Sequence, residues 1–123
     1  MTTAYLLIAH GSRNAEANDD LLHLACALRQ REQALVEVAY LELAEPDVDS
    51  GAAVCVERGA KCVVLVPYFL SGGVHVRRDL SAARERLSMR FEEVEFRLAE
   101  PLGRHPLLLE VVADRIREAL AND

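Results

Sequence analysis

Residues 4–18, AYLLIAHGSRNAEAN, begin with an almost continuous apolar run that ends abruptly at His10, Gly11 and Ser12. A parallel strand that is buried on both faces has a continuous apolar run of this kind. A polar turn and a helix-like stretch after such a strand are typical of α/β proteins, which place their chemistry at the ends of strands. The segment therefore predicts an α/β fold with a candidate functional residue at His10.

The rest of the chain repeats this alternation. Strands are predicted at residues 36–41, 62–67 and 94–98, and the last of these alternates enough in polarity to be an edge strand. Pro46 is expected in the first turn of the second helix, and Gly59 at the C-terminal cap of that helix. The four predicted helices carry apolar stripes at helical spacing: Ala17, Leu21, Leu24, Ala25 and Leu28; Val48, Ala52, Cys55 and Val56; Val76, Leu80, Ala83 and Leu87; Leu108, Val111, Val112, Ile116 and Ala119.

We expect these elements to form one domain over residues 1–123. Alternation of strands and helices favours a four-stranded parallel sheet flanked by helices on both faces, which makes a three-layer sandwich. In such a sheet the ligand crevice lies outside the carboxyl ends of the strands. The loops that follow the strands are therefore where functional residues are expected.

The composition limits the classes of function. The 123 residues carry a net charge of −6, which argues against a nucleic-acid partner because phosphate binding needs a basic surface. No apolar stretch approaches the roughly 20 residues that cross a bilayer. No export signal is visible, so we expect a cytoplasmic protein with no membrane partner. Cys26, Cys55 and Cys62 lack C-x-x-C spacing and are expected to be buried structural thiols.

Three of the four histidines fall in the loops expected at the crevice, namely His10, His75 and His105. His75 follows Gly72 and Gly73 near the start of the third helix, where the helix dipole favours the neutral imidazole that a divalent metal requires. His10 and His75 could therefore form a two-histidine metal site, with Glu42 as a further ligand or a proton acceptor. The alternative is that the histidines only bond backbone groups or line an apolar pocket.

Other kinds of chemistry fit these loops less well. GxGxxG and GxxxxGK[ST] are both absent, which argues against the common nucleotide-binding loops. Ser12 and Ser71 lie outside any G-x-S-x-G elbow, and Ser12 is expected to serve a turn or an N-cap. Phosphohistidine enzymes of the phosphoglycerate-mutase type have Arg-His-Gly after the first strand, whereas Ala9 precedes His10 here. A hydrolase using Ser12 with a histidine base is the remaining hypothesis of this kind.

Basic residues are also expected at the crevice. Arg13 and Arg104 are placed to bind carboxylates in a bidentate manner. For Arg77 and Arg78, a solvated helix face is an equally good interpretation. A few clustered arginines could bind an acidic small molecule despite the negative net charge.

Four motifs in order resemble one known family. They are LLIAHGSR (residues 6–13), YLELAEPDV (40–48), VPYFLSGGVHVRRDL (66–80) and PLGRHPLL (101–108). The chain resembles, over essentially its whole length, the sirohydrochlorin chelatases of the CbiX/SirB type, the class II chelatases of cobalamin and siroheme biosynthesis. The resemblance implies a chelatase-like fold and a single CbiX-like domain.

The resemblance also implies an activity, which is insertion of a divalent ion, cobalt or iron, into sirohydrochlorin without ATP or an organic cofactor. The family's two metal-binding histidines match His10 and His75, and its acidic residue matches Glu42. Nickel is compatible with the same residues. The residues expected to bind the tetrapyrrole are Ser12, Arg13, Ser71, Gly72, Gly73 and Arg104.

The resemblance also implies how the chain assembles. The chain has about half the length of the two-domain chelatases and is similar to the short forms, which pair as symmetric homodimers. The alternative function, from a different class, is a non-catalytic carrier that binds metal or tetrapyrrole. Metallated product formed with turnover distinguishes the enzyme from the carrier.

Overall fold

The computed structural model describes residues 2–71 and 73–121. Strands and helices alternate along the chain, as the sequence predicts. The elements are β1 (Thr3–Ala9), α1 (Ala15–Glu32), β2 (Leu35–Tyr40), α2 (Val48–Glu57), β3 (Cys62–Pro67), α3 (Gly73–Arg90), β4 (Glu95–Leu98) and α4 (Pro106–Ala121). Across the described part of the chain, no helix is both long and apolar enough to cross a membrane.

The four strands form one parallel sheet in the order β2-β1-β3-β4. β1 is central, and Leu6 pairs in register with Glu37 of β2 and with Leu65 of β3. This position explains its continuous apolar run, because a central strand is covered on both faces. β4 is an edge strand, which confirms the expectation from its alternating sequence.

Two hydrophobic clusters lie on opposite faces of the sheet. The larger cluster lies under α2 and α3, where Ala52 and Leu80 pack with strand residues such as Leu6 and Leu65. The smaller cluster lies under α1, and its buried members are Leu7, Leu21, Ala25, Val36 and Tyr40. Helices therefore lie on both faces of a parallel sheet, and the predicted three-layer arrangement is confirmed.

Two details near α1 and α2 differ from the sequence predictions. Asp47 is the N-cap of α2, and its side chain accepts a hydrogen bond from the Ser50 N–H at 2.8 Å. Pro46 therefore lies before the helix rather than in its first turn. Cys26 is exposed, not buried, because α1 directs only a narrow stripe that includes Leu21 and Ala25 at the sheet.

α4 differs from the other helices in its packing. The helix forms where its periodicity predicts, but none of its residues is buried. Its apolar stripe is largely open to solvent: Val112 is 55% exposed and Ile116 is 54% exposed. Helical spacing correctly predicted this helix, and the structure adds that its apolar stripe is not covered by the described part of the chain.

Candidate metal-binding site

The candidate site begins where β1 and β2 end. Parallel pairing continues past both strands, because the Leu41 N–H donates to the Ala9 oxygen at 3.0 Å and the Glu42 N–H donates to the His10 oxygen at 2.9 Å. His10 and Glu42 are therefore backbone neighbours at the carboxyl edge of the sheet. Both residues are exposed, so their side chains are accessible to a ligand.

Gly11 makes this close approach possible. Its φ is +93°, a conformation that residues with a side chain rarely adopt. A Cβ atom at this position would lie 1.8 Å from the Glu42 backbone oxygen, which is far inside van der Waals contact. Any other residue here would separate the turn after β1 from the end of β2.

The imidazole of His10 lies against a buried aromatic ring. The ring centroids of His10 and Phe69 are 4.6 Å apart, with an interplanar angle of 50°. Phe69 is held close by the extension of β3, in which the Tyr68 N–H donates to the Ile8 oxygen at 2.7 Å. The histidine is thus supported by a fixed neighbour while it remains exposed.

Ser12 is used within the turn that leads into α1. Its hydroxyl accepts a hydrogen bond from the Asn14 N–H at 3.0 Å, and its backbone exchanges two hydrogen bonds with the Asn18 side-chain amide, at 3.0 and 2.8 Å. Asn14 in turn caps α1 by accepting from the Glu16 N–H at 2.9 Å. The Asn18 side chain therefore fixes the conformation of the turn. No feature of the sequence distinguishes this residue. Arg13, next to it, is exposed.

His75 lies in the first turn of α3, as expected, and is exposed. α3 begins at Gly73, whose φ of +66° lies in the region that favours glycine. Ser71, just before the helix, is also exposed, and Gly72 lies outside the described residues. Within residues 2–71 and 73–121, no group of three or more His, Cys, Asp or Glu side chains is arranged to hold a metal ion. In this described part of the chain, His10, Glu42 and His75 are therefore not brought together as a three-ligand metal site.

The loop after β4 packs against the loop after β3. The Leu102 N–H donates to the Phe69 oxygen at 2.9 Å, and a Cβ on Gly103 would lie 1.9 Å from the Leu70 oxygen. His105 serves the start of α4, because its Nδ1 accepts from the Leu107 N–H at 3.1 Å. The contacts of Leu102 and Gly103 therefore hold together the loops after β3 and β4, which are two of the four loops expected at the crevice.

Two adjoining clefts beside these loops are lined with arginine. One has a volume of about 470 Å³ and includes Ser71, Arg77 and Arg104 in its lining. The other, of about 240 Å³, is lined by Phe69, Arg77 and Arg84 among others. Arg77 lies in both linings, and so does Glu100, whose carboxylate offsets part of the positive charge. Arg84 was missed in the sequence, although its spacing of seven from Arg77 places both on one side of α3.

These features define a class of protein. It is a parallel α/β domain with an open site outside the carboxyl ends of its strands, where an exposed histidine and an exposed glutamate lie on neighbouring strand ends and two arginine-lined clefts lie beside the later loops. The CbiX family profile matches residues 4–119, and the chain belongs to the CbiX family.

The comparisons with individual proteins agree with this assignment. The chain is 36% identical to a chloroplastic sirohydrochlorin ferrochelatase from Arabidopsis thaliana over 95% of its own length and 52% of that relative. It therefore spans about half the length of that curated relative. It is 31% identical to a sirohydrochlorin cobaltochelatase from Sulfolobus acidocaldarius, over 94% of this chain and 91% of the relative. A crystal structure of a CbiX protein from Marinobacter aquaeolei VT8 superposes with a TM-score of 0.86, 34% identity and coverage of 98% and 99% of the two chains.

Proposed function

We propose that this protein inserts a divalent metal ion, cobalt or iron, into sirohydrochlorin. The observation that carries the proposal is the backbone pairing of His10 with Glu42 at neighbouring strand ends, with the exposed imidazole against Phe69. The relatives named sirohydrochlorin ferrochelatase and sirohydrochlorin cobaltochelatase support the choice of substrate and metals.

Metal insertion requires that the protein hold the ion loosely, because the ion must leave for the macrocycle. Neutral imidazole and carboxylate suit borderline divalent ions, and open coordination positions allow their exchange. We assign His10 and His75 as the metal ligands. Among the described residues, His10, Glu42 and His75 do not form a ready-made group of three ligands, so the assignment rests on the positions of the two histidines, His10 after β1 and His75 in the first turn of α3.

The reaction also releases protons. A divalent ion that enters the macrocycle displaces two pyrrole N–H protons, so the reaction balances without a reductant or ATP, and the proposal includes neither ATP nor an organic cofactor. Glu42 is exposed beside His10 and can accept a proton and pass it to water. Its carboxylate thus serves as a proton acceptor, or as a further metal ligand before the ion is transferred to the macrocycle.

The macrocycle itself carries several carboxylates, which the arginine-lined clefts can bind. Ser71, Arg77 and Arg104 share the larger cleft, and charge-assisted hydrogen bonds from guanidinium groups would orient the substrate there. The proposed binding set also includes Ser12, Arg13, Gly72 and Gly73. Because the substrate is large and flat, the proposal includes a homodimer in which two chains enclose it.

The decisive experiment is an anaerobic absorbance assay. Purified protein is mixed with excess sirohydrochlorin and, separately, cobalt(II), iron(II) or nickel(II), with protein-free controls. We expect many turnovers of a spectral shift to metallated product with cobalt or iron. Tetrapyrrole binding with no acceleration over the control would instead establish a carrier, which is the alternative function.

A further inference from the structure

The backbone of His10 is fixed, so only its side-chain torsions remain free. The Glu42 N–H donates to the His10 oxygen at 2.9 Å, and Gly11 follows with the φ of +93° that the turn requires. The His10 side chain is exposed, so solvent does not restrict it to one of the three staggered positions of χ1. Only one orientation of the ring can face a given metal ion, and the affinity falls with the fraction of time that the ring spends in the others. A neighbouring group is therefore needed to select the rotamer of His10.

The neighbour that the structure provides is an aromatic ring. Metal-binding histidines usually donate the N–H of their second ring nitrogen to a carboxylate, a backbone carbonyl or water. For His10, the contact found among the described residues is with the Phe69 ring, at a centroid distance of 4.6 Å and an interplanar angle of 50°. This distance lies in the favourable range for aromatic pairs. The Phe69 ring thus occupies one side of the imidazole.

Phe69 is itself held in place. The Tyr68 N–H donates to the Ile8 oxygen at 2.7 Å, and the Phe69 oxygen accepts a hydrogen bond from the Leu102 N–H at 2.9 Å. The Phe69 side chain is only 7% exposed and is part of the larger hydrophobic cluster. A side chain in a close-packed core occupies one rotamer, so Phe69 can restrict His10, which has no such packing of its own.

Phe69 also connects His10 to the helix that carries His75. The larger cluster contains Leu80 of α3, and Val76, the residue after His75, packs against it. Phe69, Val76 and Leu80 together line the smaller arginine-lined cleft. The Phe69 ring therefore adjoins both the imidazole of His10 and the first turns of α3.

We propose that Phe69 is a positioning residue that fixes the orientation of the His10 imidazole relative to α3, and with it the separation of the two proposed metal ligands. The inference rests on the proposed function, in which His10 and His75 bind the ion, and adds the group that aligns them. Histidine nitrogens lie about 2.0–2.1 Å from a bound zinc ion, so two nitrogens on one such ion are roughly 3–4 Å apart. A smaller aliphatic side chain in place of Phe69 would release the His10 ring from this arrangement.

Cobalt binding by the protein alone tests the proposal without the tetrapyrrole. Cobalt(II) is titrated anaerobically into Cys26→Ser protein, in which the exposed thiol cannot bind the ion, and the visible ligand-field absorption reports bound cobalt. Phe69→Leu should raise the cobalt dissociation constant by about tenfold, because several rotamers of His10 are then populated. Phe69→Tyr keeps the aromatic ring and should bind cobalt as the Cys26→Ser parent does.

Phe96→Leu is the matched control in the same background. Phe96 is 6% exposed and belongs to the same cluster, but it pairs with Val63, which pairs with Ala4 near the start of β1. At about 3.3 Å per residue along β1, this pairing places Phe96 roughly 20 Å from His10. Phe96→Leu should lower the free energy of unfolding but leave the cobalt dissociation constant unchanged. Equal effects of Phe69→Leu and Phe96→Leu on cobalt binding would overturn the proposal.

A double variant shows whether Phe69 acts through His10. In a His10→Ala background, Phe69→Leu should not weaken the remaining cobalt binding further, because no imidazole is left for the ring to orient. An equal loss of affinity in both backgrounds would mean that Phe69 acts independently of His10, and would overturn the positioning role.

Histidine NMR signals give a readout that needs no metal. The His10 ring protons, assigned by their absence in His10→Ala, should show nuclear Overhauser contacts to the Phe69 ring and a ring-current shift in the wild type. The shift should be lost in Phe69→Leu and kept in Phe96→Leu. A wild type without contacts between the two rings would overturn the proposal, whether or not the variants fold.

These outcomes are distinguishable from a failure of the proposed function. If His10→Ala weakened cobalt binding but Phe69→Leu did not, the ligand assignment would stand and the positioning role would be refuted. If Phe69→Leu weakened cobalt binding through His10 but the wild type inserted no metal into sirohydrochlorin, the positioning role would stand and the proposed activity would be refuted.

Discussion

The backbone N–H of Glu42 donates a hydrogen bond of 2.9 Å to the backbone oxygen of His10. This one bond extends the β1–β2 ladder beyond both strands and brings an imidazole and a carboxylate to the same edge of the sheet. Each residue comes from a different strand end, so their proximity depends on the register of the sheet and on the turn between them. The following predictions test what depends on this pairing.

Replacement of either proposed metal ligand should abolish insertion and leave the fold intact. His10→Ala and His75→Ala each remove an exposed imidazole, and only His10→Ala also loses an aromatic contact, with Phe69, so we expect at most a small loss of stability. We expect kcat/KM for cobalt insertion to fall by at least about 100-fold. A side chain that contacts the reacting atoms typically contributes a rate factor of this size. The anaerobic absorbance assay measures the rate, and thermal unfolding measures stability.

His23→Ala is the matched control, because His23 is an exposed histidine in α1 and lies in none of the loops at the strand ends. Its insertion rate should equal that of the wild type. Near-wild-type rates for both His10→Ala and His75→Ala would remove these residues from the site.

Gly11→Ala should both destabilise the protein and slow insertion. The new Cβ would meet the Glu42 oxygen at 1.8 Å, and alanine disfavours a φ of +93°. We expect a loss of about 2–3 kcal/mol in the free energy of unfolding, since strain and steric overlap act together. Urea denaturation measures the loss.

Gly59→Ala separates the two effects. Its φ is +98°, but an added Cβ would meet no atom within 4 Å. This variant should lose only about 1 kcal/mol, the cost of the left-handed backbone alone, and keep full activity. If the two variants were equally stable, the close contact of Gly11 with Glu42 would have no energetic importance.

The clefts predict which arginines bind substrate carboxylates. Arg77→Ala and Arg84→Ala should each raise KM for sirohydrochlorin by about tenfold, because a charge-assisted hydrogen bond contributes roughly 1.5–3 kcal/mol. Arg78→Ala removes the same charge from α3 but is not part of either lining, so its KM should stay close to that of the wild type. Steady-state kinetics with varied sirohydrochlorin distinguishes the three. If all three variants had the same KM as the wild type, the macrocycle would bind outside these two clefts.

The three cysteines should differ sharply in reactivity. Burial raises the pKa of the Cys55 thiol to about 12, with a further contribution from Glu37, so the reactive thiolate is scarce at pH 8. Cys62 is also buried, whereas Cys26 is exposed. We expect one alkylation per native chain, at Cys26, and three in denaturant, as measured by mass spectrometry. Rapid native alkylation of Cys55 would contradict the burial of α2 on the sheet.

Much of this fold could be predicted from the sequence, and the exceptions have physical reasons. The apolar run of β1 and the change of period after it identify a central parallel strand, and parallel strand ends necessarily bring His10 near Glu42. An amphipathic pattern predicts a helix but does not say what covers its apolar side, so the exposure of the α4 stripe could not be read from the sequence. The contact of Gly11 with Glu42 and the role of Asn18 depend on three-dimensional register, for which the sequence holds no local signal.

The cap of α2 predicts a pH dependence of stability. Hydrogen bonds from Ser50 lower the pKa of Asp47, with the Arg86 charge acting in the same direction. A carboxyl whose pKa is lower in the folded state stabilises the protein above its unfolded pKa of about 3.9 and loses that contribution as the pH falls through the folded value. Asp47→Ala should therefore cost about 1 kcal/mol at pH 7 and less at pH 3.

Asp47→Asn tests whether charge or hydrogen bonding carries the effect. Asparagine can accept a hydrogen bond from the same Ser50 N–H but does not titrate. Asp47→Asn should therefore retain most of the stability at pH 7. Its stability should also change less between pH 7 and pH 3 than that of the wild type. Urea denaturation at both pH values supplies all the comparisons. A wild type and an Asp47→Ala variant that lost stability in parallel from pH 7 to pH 3 would mean that Asp47 has the same pKa folded and unfolded. The acid sensitivity of the protein would then have to come from carboxylates other than the cap of α2.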